Sequence, residues 1–162
     1  KSSFIKAVLA GCTEDREQAV RDKGLQEKGI LETASGMVIS CVEQDTSFLK
    51  GGIREFCERR GLEEHLFCAV LRQLDMERAQ FAKPMEDYSE GQKKKVLLAS
   101  SLLTPAHLYI WDEPLNYIDV FSRMQIEKLL LSSRPTMLVV EHDVRFRETI
   151  ATKVVDFAPL FK

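Results

Sequence analysis

The sequence has no CxxC pair among its four cysteines, Cys12, Cys41, Cys57 and Cys68, and no histidine at ligand spacing beside two of them. That pattern argues against a structural zinc site. It argues equally against a disulfide framework, because the remaining features point to a reducing compartment. The cysteines read as small, mostly buried residues. No apolar run approaches the roughly eighteen residues of a membrane-spanning helix. The first residues carry no charged-then-apolar leader with a cleavage site, so a soluble, cytoplasmic chain without membrane insertion is expected. An excess of positive charge is lacking too. The 23 Lys and Arg stand against 25 Asp and Glu for a net charge of −2, which disfavours a strongly basic nucleic-acid module and leaves room only for a local basic patch. Internal repeats and low-complexity segments are also absent.

What is present is an ordinary globular composition, 44% hydrophobic and 30% charged over 162 residues, with room for one compact core and not two. Phe4, Ile5, Val8 and Leu9 fall on one face at helical spacing over residues 2–10, with Gly11 as a C-cap. A short strand is expected near 30–33 and another over 37–42. Leu62, Leu66, Val70 and Leu74 recur every four positions and suggest a helix over 62–74, with Pro84 closing that region. A second helix is expected over 90–103. The last third alternates: strand 108–112, helix 120–131 with Asp119 as N-cap, strand 136–140, helix 143–149 and a final strand 153–157. Apolar strands separated by helices predict a parallel sheet and an α/β fold.

Chemistry-bearing residues cluster at the ends of these elements. Lys1 and Ser2, followed by Ser3 and an amphipathic helix, match the last positions of a phosphate-binding loop, G-x-x-x-x-G-K-[ST]. The strand 108–112 closes on two acids, Asp112 and Glu113. An acid at the C-terminal edge of a parallel strand projects into the crevice where ligands bind. Asp112 is placed to hold Mg²⁺ directly or through water, and Glu113 to polarise water attacking a γ-phosphate. Ser89 and Gln92 form a capping box, and with Gly91 they leave a bare helix N-terminus suited to an anion. Lys93, Lys94 and Lys95 add positive potential and read as largely solvated. His142, between Glu141 and Asp143, follows the strand 136–140. Gln44 follows the strand 37–42, from where its amide oxygen reaches a metal-bound water.

In this order the residues resemble an ATP-binding-cassette (ABC) nucleotide-binding domain across nearly the whole chain. Lys1-Ser2 resembles the end of a Walker A motif, Gln44 the Q-loop glutamine, and Tyr88-Ser89-Glu90-Gly91-Gln92 the ABC signature. Residues 108–112 with Glu113 look like Walker B and the catalytic glutamate. Asn116-Tyr117-Ile118-Asp119 resembles the D-loop and Glu141-His142-Asp143 the H-switch. Asp-Glu-Pro-Leu-Asn-Tyr-Ile-Asp and Tyr-Ser-Glu-Gly-Gln-Lys-Lys-Lys look most like the second cassette of ABC-F proteins, closest to those protecting ribosomes from lincosamide, streptogramin A and pleuromutilin antibiotics. Tyr88 and Glu90 depart from the general pattern, standing where transporters usually have Leu and Gly.

The resemblance implies a P-loop NTPase-like parallel sheet with an ABC α-helical subdomain over roughly 53–100. Residues 1–162 would be a partial nucleotide-binding domain, the family's N-terminal strands and glycine loop being missing from it. It implies ATP and Mg²⁺ as ligands, with Lys1, Ser2, Ser3, Ser89, Gly91 and Gln92 on nucleotide. Ser2, Gln44 and Asp112 would serve the metal, Glu113, His142 and Gln44 the catalysis, and Asn116 and Asp119 the D-loop. Its implied partners are a second cassette, in the same chain or in a dimer, and the ribosome with its rRNA. An ATPase subunit of a membrane transporter, or a non-catalytic partner-binding domain, are the competing readings.

Overall fold

The computed structural model describes residues 36–42 and 44–155. The expected helix at 2–10, the strand at 30–33 and Lys1, Ser2, Ser3 and Cys12 lie outside the described residues. Three strands, β1 (Ile39–Val42), β2 (Leu108–Asp112) and β3 (Met137–Val140), form a parallel sheet in the order β1-β2-β3. The register pairs Val42 with Trp111 and Asp112 with Val140, so the C-terminal ends of all three strands share one edge. The α/β reading therefore holds.

Six α-helices accompany the sheet among the described residues: α1 (Ile53–Arg60), α2 (Glu64–Gln73), α3 (Arg78–Phe81), α4 (Glu90–Leu103), α5 (Val120–Ser133) and α6 (Val144–Ile150). A 3₁₀ turn at Met85–Asp87 follows Pro84. The helix α4 packs on β1 with one side and on α2 with another, and residues 94–101 are buried without a break. It is the central element among the described residues. The core joins Trp111 of β2, Val96 to Ala99 of α4, Phe67 and Leu71 of α2, and Phe56 of α1. Burying each of the larger side chains contributes about 1.5–3 kcal/mol.

Two expectations are corrected. The helix over 62–74 starts at Glu64, because Gly61 takes the left-handed conformation (φ 62°) and closes α1, with Leu62 N–H donating to the Cys57 carbonyl at 2.9 Å. Its buried side chains are Phe67 and Leu71, with Leu74 just beyond, while Leu66 is 44% exposed. Four-residue steps overshoot a helical turn by about 40°, so a strict i+4 row winds off one face, whereas 67, 71 and 74 stay on it. The second correction concerns the strand over 153–157. Its described part, 153–155, is exposed chain without strand pairing, and Val154 and Val155 are more than half exposed. Cys57 is buried, which pushes its thiol up to about 11, and Cys41 and Cys68 are partly buried.

Candidate functional site

The shared strand edge sets the site. Because Asp112 is opposite Val140, the residues that follow them emerge side by side. The Glu113 N–H donates to the Val140 carbonyl at 2.8 Å, extending the ladder by one residue. The chain then turns sharply, with Glu113 at φ 47°, a left-handed conformation that strains any residue with a Cβ. Its carboxylate is addressed from two sides. Asn116 Nδ2 donates to Oε2 at 2.8 Å, and His142 Nε2 stands 3.5 Å from Oε1. Gln44 reaches the same edge from β1, and its Nε2 donates to Asp112 Oδ2 at 3.3 Å. Five of the residues singled out in the sequence thus come together: Gln44, Asp112, Glu113, Asn116 and His142.

The loops carrying these groups are tied by Arg123, which the sequence did not single out, together with Glu141 and Asp143 on either side of His142. Arg123, in the first turn of α5, donates from Nε to the Ile118 carbonyl at 3.1 Å and from Nη2 to the Leu115 carbonyl at 3.3 Å. Its Nη1 pairs with Asp143 Oδ2 at 3.0 Å. Asp143 caps α6 by accepting from Phe146 N–H at 2.9 Å. Glu141 accepts from Leu115 N–H and from the N–H groups of His142 and Asp143. The one local signal for Arg123 is its position four residues after the N-cap Asp119.

A second group forms at the N-terminus of α4. Both halves of the capping box are present, with Gln92 N–H donating to Ser89 Oγ at 3.3 Å and Ser89 N–H donating to Gln92 Oε1 at 3.0 Å. The Ser89 hydroxyl accepts in that contact and keeps its own proton to donate. Gly91 lies against the turn after β2, where an added Cβ would sit 2.5 Å from the Tyr117 carbonyl oxygen. Glu90 accepts from Thr46 Oγ1 at 2.9 Å and from Lys93 Nζ at 3.2 Å, and these bonds hold its carboxyl below the usual range.

The lysine run departs from its expected solvation. Lys94 and Lys95 are 4% and 7% exposed. Consecutive helix residues point about 100° apart, so the two bury on different sides. Lys95 pairs with Asp119 Oδ2 at 2.8 Å. Burial alone would raise the Asp119 carboxyl, but Lys95 and the Ser122 hydrogen bonds outweigh it and hold it well below the carboxylate range. Burial lowers the Lys94 ammonium, opposed by the carboxylates of Asp112, Glu113 and Glu141. A cavity of about 230 Å³ opens beside the N-terminus of α4, lined by Ser89, Gly91, Gln92, Lys95, Tyr117 and Asp119 with Asp75 and Gln80.

The donor chemistry at the strand edge suits Mg²⁺. Asp112 and Gln44 offer hard oxygen atoms, and no group of three or more His, Cys, Asp or Glu able to hold a metal exists among the described residues. Magnesium is commonly held in this way, by one or two protein oxygens with water and substrate phosphate completing the shell. Among the described residues no helix is long and apolar enough to cross a membrane.

Comparison with known proteins gives concordant findings. The family model described as ABC transporter matches residues 1–116. The chain is 32% identical over 103 residues to the uncharacterized ABC transporter ATP-binding protein YkpA of Bacillus subtilis (strain 168), covering 63% of this chain and 19% of that protein. It therefore spans less than a fifth of the length of that relative. Among solved structures, it is similar to the archaeal ribosome recycling factor aABCE1 in complex with the ribosomal stalk protein aP1. That likeness has a TM-score of 0.67 at 24% identity and covers 93% of this chain and 28% of that one. It is similar as well to the dimeric bacterial ABC transporter cassette MJ0796, with a TM-score of 0.58 at 20% identity over 70% of this chain and 56% of that one. These two likenesses concern the fold.

Proposed function

The chain belongs to the ABC transporter family, and on that premise we propose that it is the ATP-hydrolysing cassette of a cytoplasmic ABC-F protein acting on the ribosome. The observation that carries the proposal is the meeting of Glu113, His142 and Asp112 at one sheet edge. Residues 53–100 are taken as the helical subdomain. The ribosomal part of the reading, including protection against antibiotics, is supported by the spelling of the signature at 88–92 and of the D-loop at 116–119.

Each residue has a separable task. Lys1, Ser2 and Ser3 would hold the phosphates. Asp112, Gln44 and Ser2 would hold Mg²⁺, which when bound neutralises phosphate charge. Glu113 holds the proton of the attacking water at its carboxylate, kept in place by Asn116. His142 faces the same carboxylate with its Nε2 and would donate to the reacting phosphate. Ser89 and Gly91, with Gln92 committed to the capping box, present hydroxyl and backbone N–H donors to a nucleotide on a second cassette. Asn116 and Asp119 shape the turn between the two groups. The same face accounts for a partner cassette, in the same chain or in a dimer.

The test is Glu113→Gln in the full-length protein. The amide keeps size and hydrogen-bonding reach but loses the basic carboxylate, so the chemical step slows by roughly two to four orders of magnitude while Mg-ATP still binds. Closed cassettes should then stay on ribosomes in co-sedimentation with ATP. Lost hydrolysis without ribosome retention points to the transporter-subunit reading, and unchanged hydrolysis removes Glu113 from the mechanism.

A further inference from the structure

We infer that Arg123 is a positioning residue that locks the two loops flanking Glu113 into one body and links that body to the N-terminus of α4. The inference rests on the reading of Glu113 as the group that polarises the attacking water. All three guanidinium nitrogens are engaged within the chain. Nε and Nη2 hold the Ile118 and Leu115 carbonyls, and so close the turn 115–118 from inside. That turn bears Asn116, whose amide fixes Glu113 Oε2, and Tyr117, whose carbonyl abuts Gly91. Nη1 holds Asp143, next in sequence to His142, which faces Glu113 Oε1. The two oxygens of one carboxylate are thus addressed from two segments, and one planar cation joins the segments.

The magnitudes separate this role from plain stabilisation. Arg123 and Asp143 are 35% and 32% exposed, and an ion pair so open to water contributes little to folding. Its value lies in geometry, because a displacement of about 1 Å at a reacting group costs on the order of a hundredfold in rate. Lysine substitutes only in part, since its point charge lacks the planar fork that reaches three separate acceptors. Glu141 supplies a parallel tie through Leu115 N–H, so loss of Arg123 loosens the body without dissolving it.

The experiment measures kcat and KM for Mg-ATP in the full-length protein with Arg123→Gln, Arg123→Lys, Glu113→Gln and the Arg123→Gln/Glu113→Gln pair. Arg123→Gln should lower kcat by about tenfold to a hundredfold with KM changed less than about threefold, and Arg123→Lys should restore only part of it. In the Glu113→Gln background Arg123→Gln should cost nothing further, because the group it positions is already disabled. Asp143→Asn keeps the α6 cap through its amide oxygen, drops the charge facing Arg123, and should lower kcat in the same direction. A raised KM at unchanged kcat, an additive loss in the pair, or unchanged kcat in Asp143→Asn overturns the inference. Unchanged hydrolysis in Glu113→Gln overturns the underlying reading as well, whereas loss there with full kcat in Arg123→Gln overturns the positioning role alone.

Discussion

Gly91 and Tyr117 meet so closely that the Tyr117 carbonyl oxygen occupies the space a side chain at 91 would need, 2.5 Å from an ideal Cβ. Tyr117 is itself at φ 64°, and its backbone is held between Leu115 and Ile118, so it has little room to retreat. Gly91→Ala should therefore destabilise the protein by about 1–3 kcal/mol, as overpacking does. Gly52, the N-cap of α1, has nothing within 4 Å of its ideal Cβ and an ordinary φ of −81°. Gly52→Ser should be neutral or slightly stabilising, since serine caps well. Chemical denaturation of the two variants side by side checks both signs.

The Lys95–Asp119 pair is asymmetric, with side chains 9% and 46% exposed. Asp119→Asn keeps an acceptor for the Ser122 N–H cap and strands the buried ammonium. It should cost about 2–3 kcal/mol, below the 3–5 of a fully buried pair because one partner reaches water. The pH dependence follows from direction. Folding lowers the Asp119 carboxyl below its ordinary 3.8, so its contribution is complete above that value and is lost as pH falls toward the folded pKa. Acid titration of stability should be flatter below about pH 4 in Asp119→Asn than in the unsubstituted protein.

Local rules carried the reading furthest where an element announces both its ends. Ser89 with Gln92 marks the start of α4, and Thr104-Pro105 its end, and the helix runs Glu90–Leu103. The apolar run closed by Asp112 marks β2, and its pairing with β3 brings Glu113 beside His142. What local rules miss is set by partners distant in sequence. Arg123 and Asp143 are separated by 20 positions and Thr46 and Glu90 by 44, and no spacing signal connects them. Three successive lysines look solvated until sheet, turn and helix close around Lys94 and Lys95. Leu66 shares the four-residue spacing of a core row, but that spacing drifts off the buried face of a helix and leaves it exposed.

Trp111, the single tryptophan, is fully buried, and its Nε1 donates to Ser101 Oγ at 2.9 Å. Ser101 Oγ also shares a hydrogen bond with Ser40 Oγ at 2.8 Å, joining α4 to β1 and β2. Ser101→Ala leaves the indole N–H without that acceptor in a dry site and should cost about 1–3 kcal/mol. Ser40 loses less, because it also donates to the Ser101 carbonyl. Adding Trp111→Phe removes the stranded donor, so the double variant should cost less than the sum of the singles. Denaturant unfolding followed by circular dichroism measures all three, since the fluorescence probe is lost with Trp111.

The Thr46–Glu90 bond joins the segment after Gln44 to the first turn of α4 at 2.9 Å. Thr46 is buried, whereas the Glu90 side chain is about half exposed. Thr46→Val keeps the shape and removes only the hydroxyl, and the released carboxylate can turn to water. The cost should therefore be the net worth of one hydrogen bond, about 0.5–1.5 kcal/mol, and not a desolvation penalty. A second observable isolates the cause. Thr46 is the first reason the Glu90 carboxyl lies below its ordinary 4.5, followed by the Lys93 hydrogen bond. Folding thus gains stability from Glu90 above that pH and loses it as pH falls toward the folded pKa. In Thr46→Val the Glu90 pKa should move up toward 4.5 without reaching it, because Lys93 Nζ remains at 3.2 Å. Carboxyl-detected NMR titration reads that pKa directly. An unmoved Glu90 titration with lowered stability would mean that Thr46 acts through packing alone, and that the bond between the two segments carries no weight.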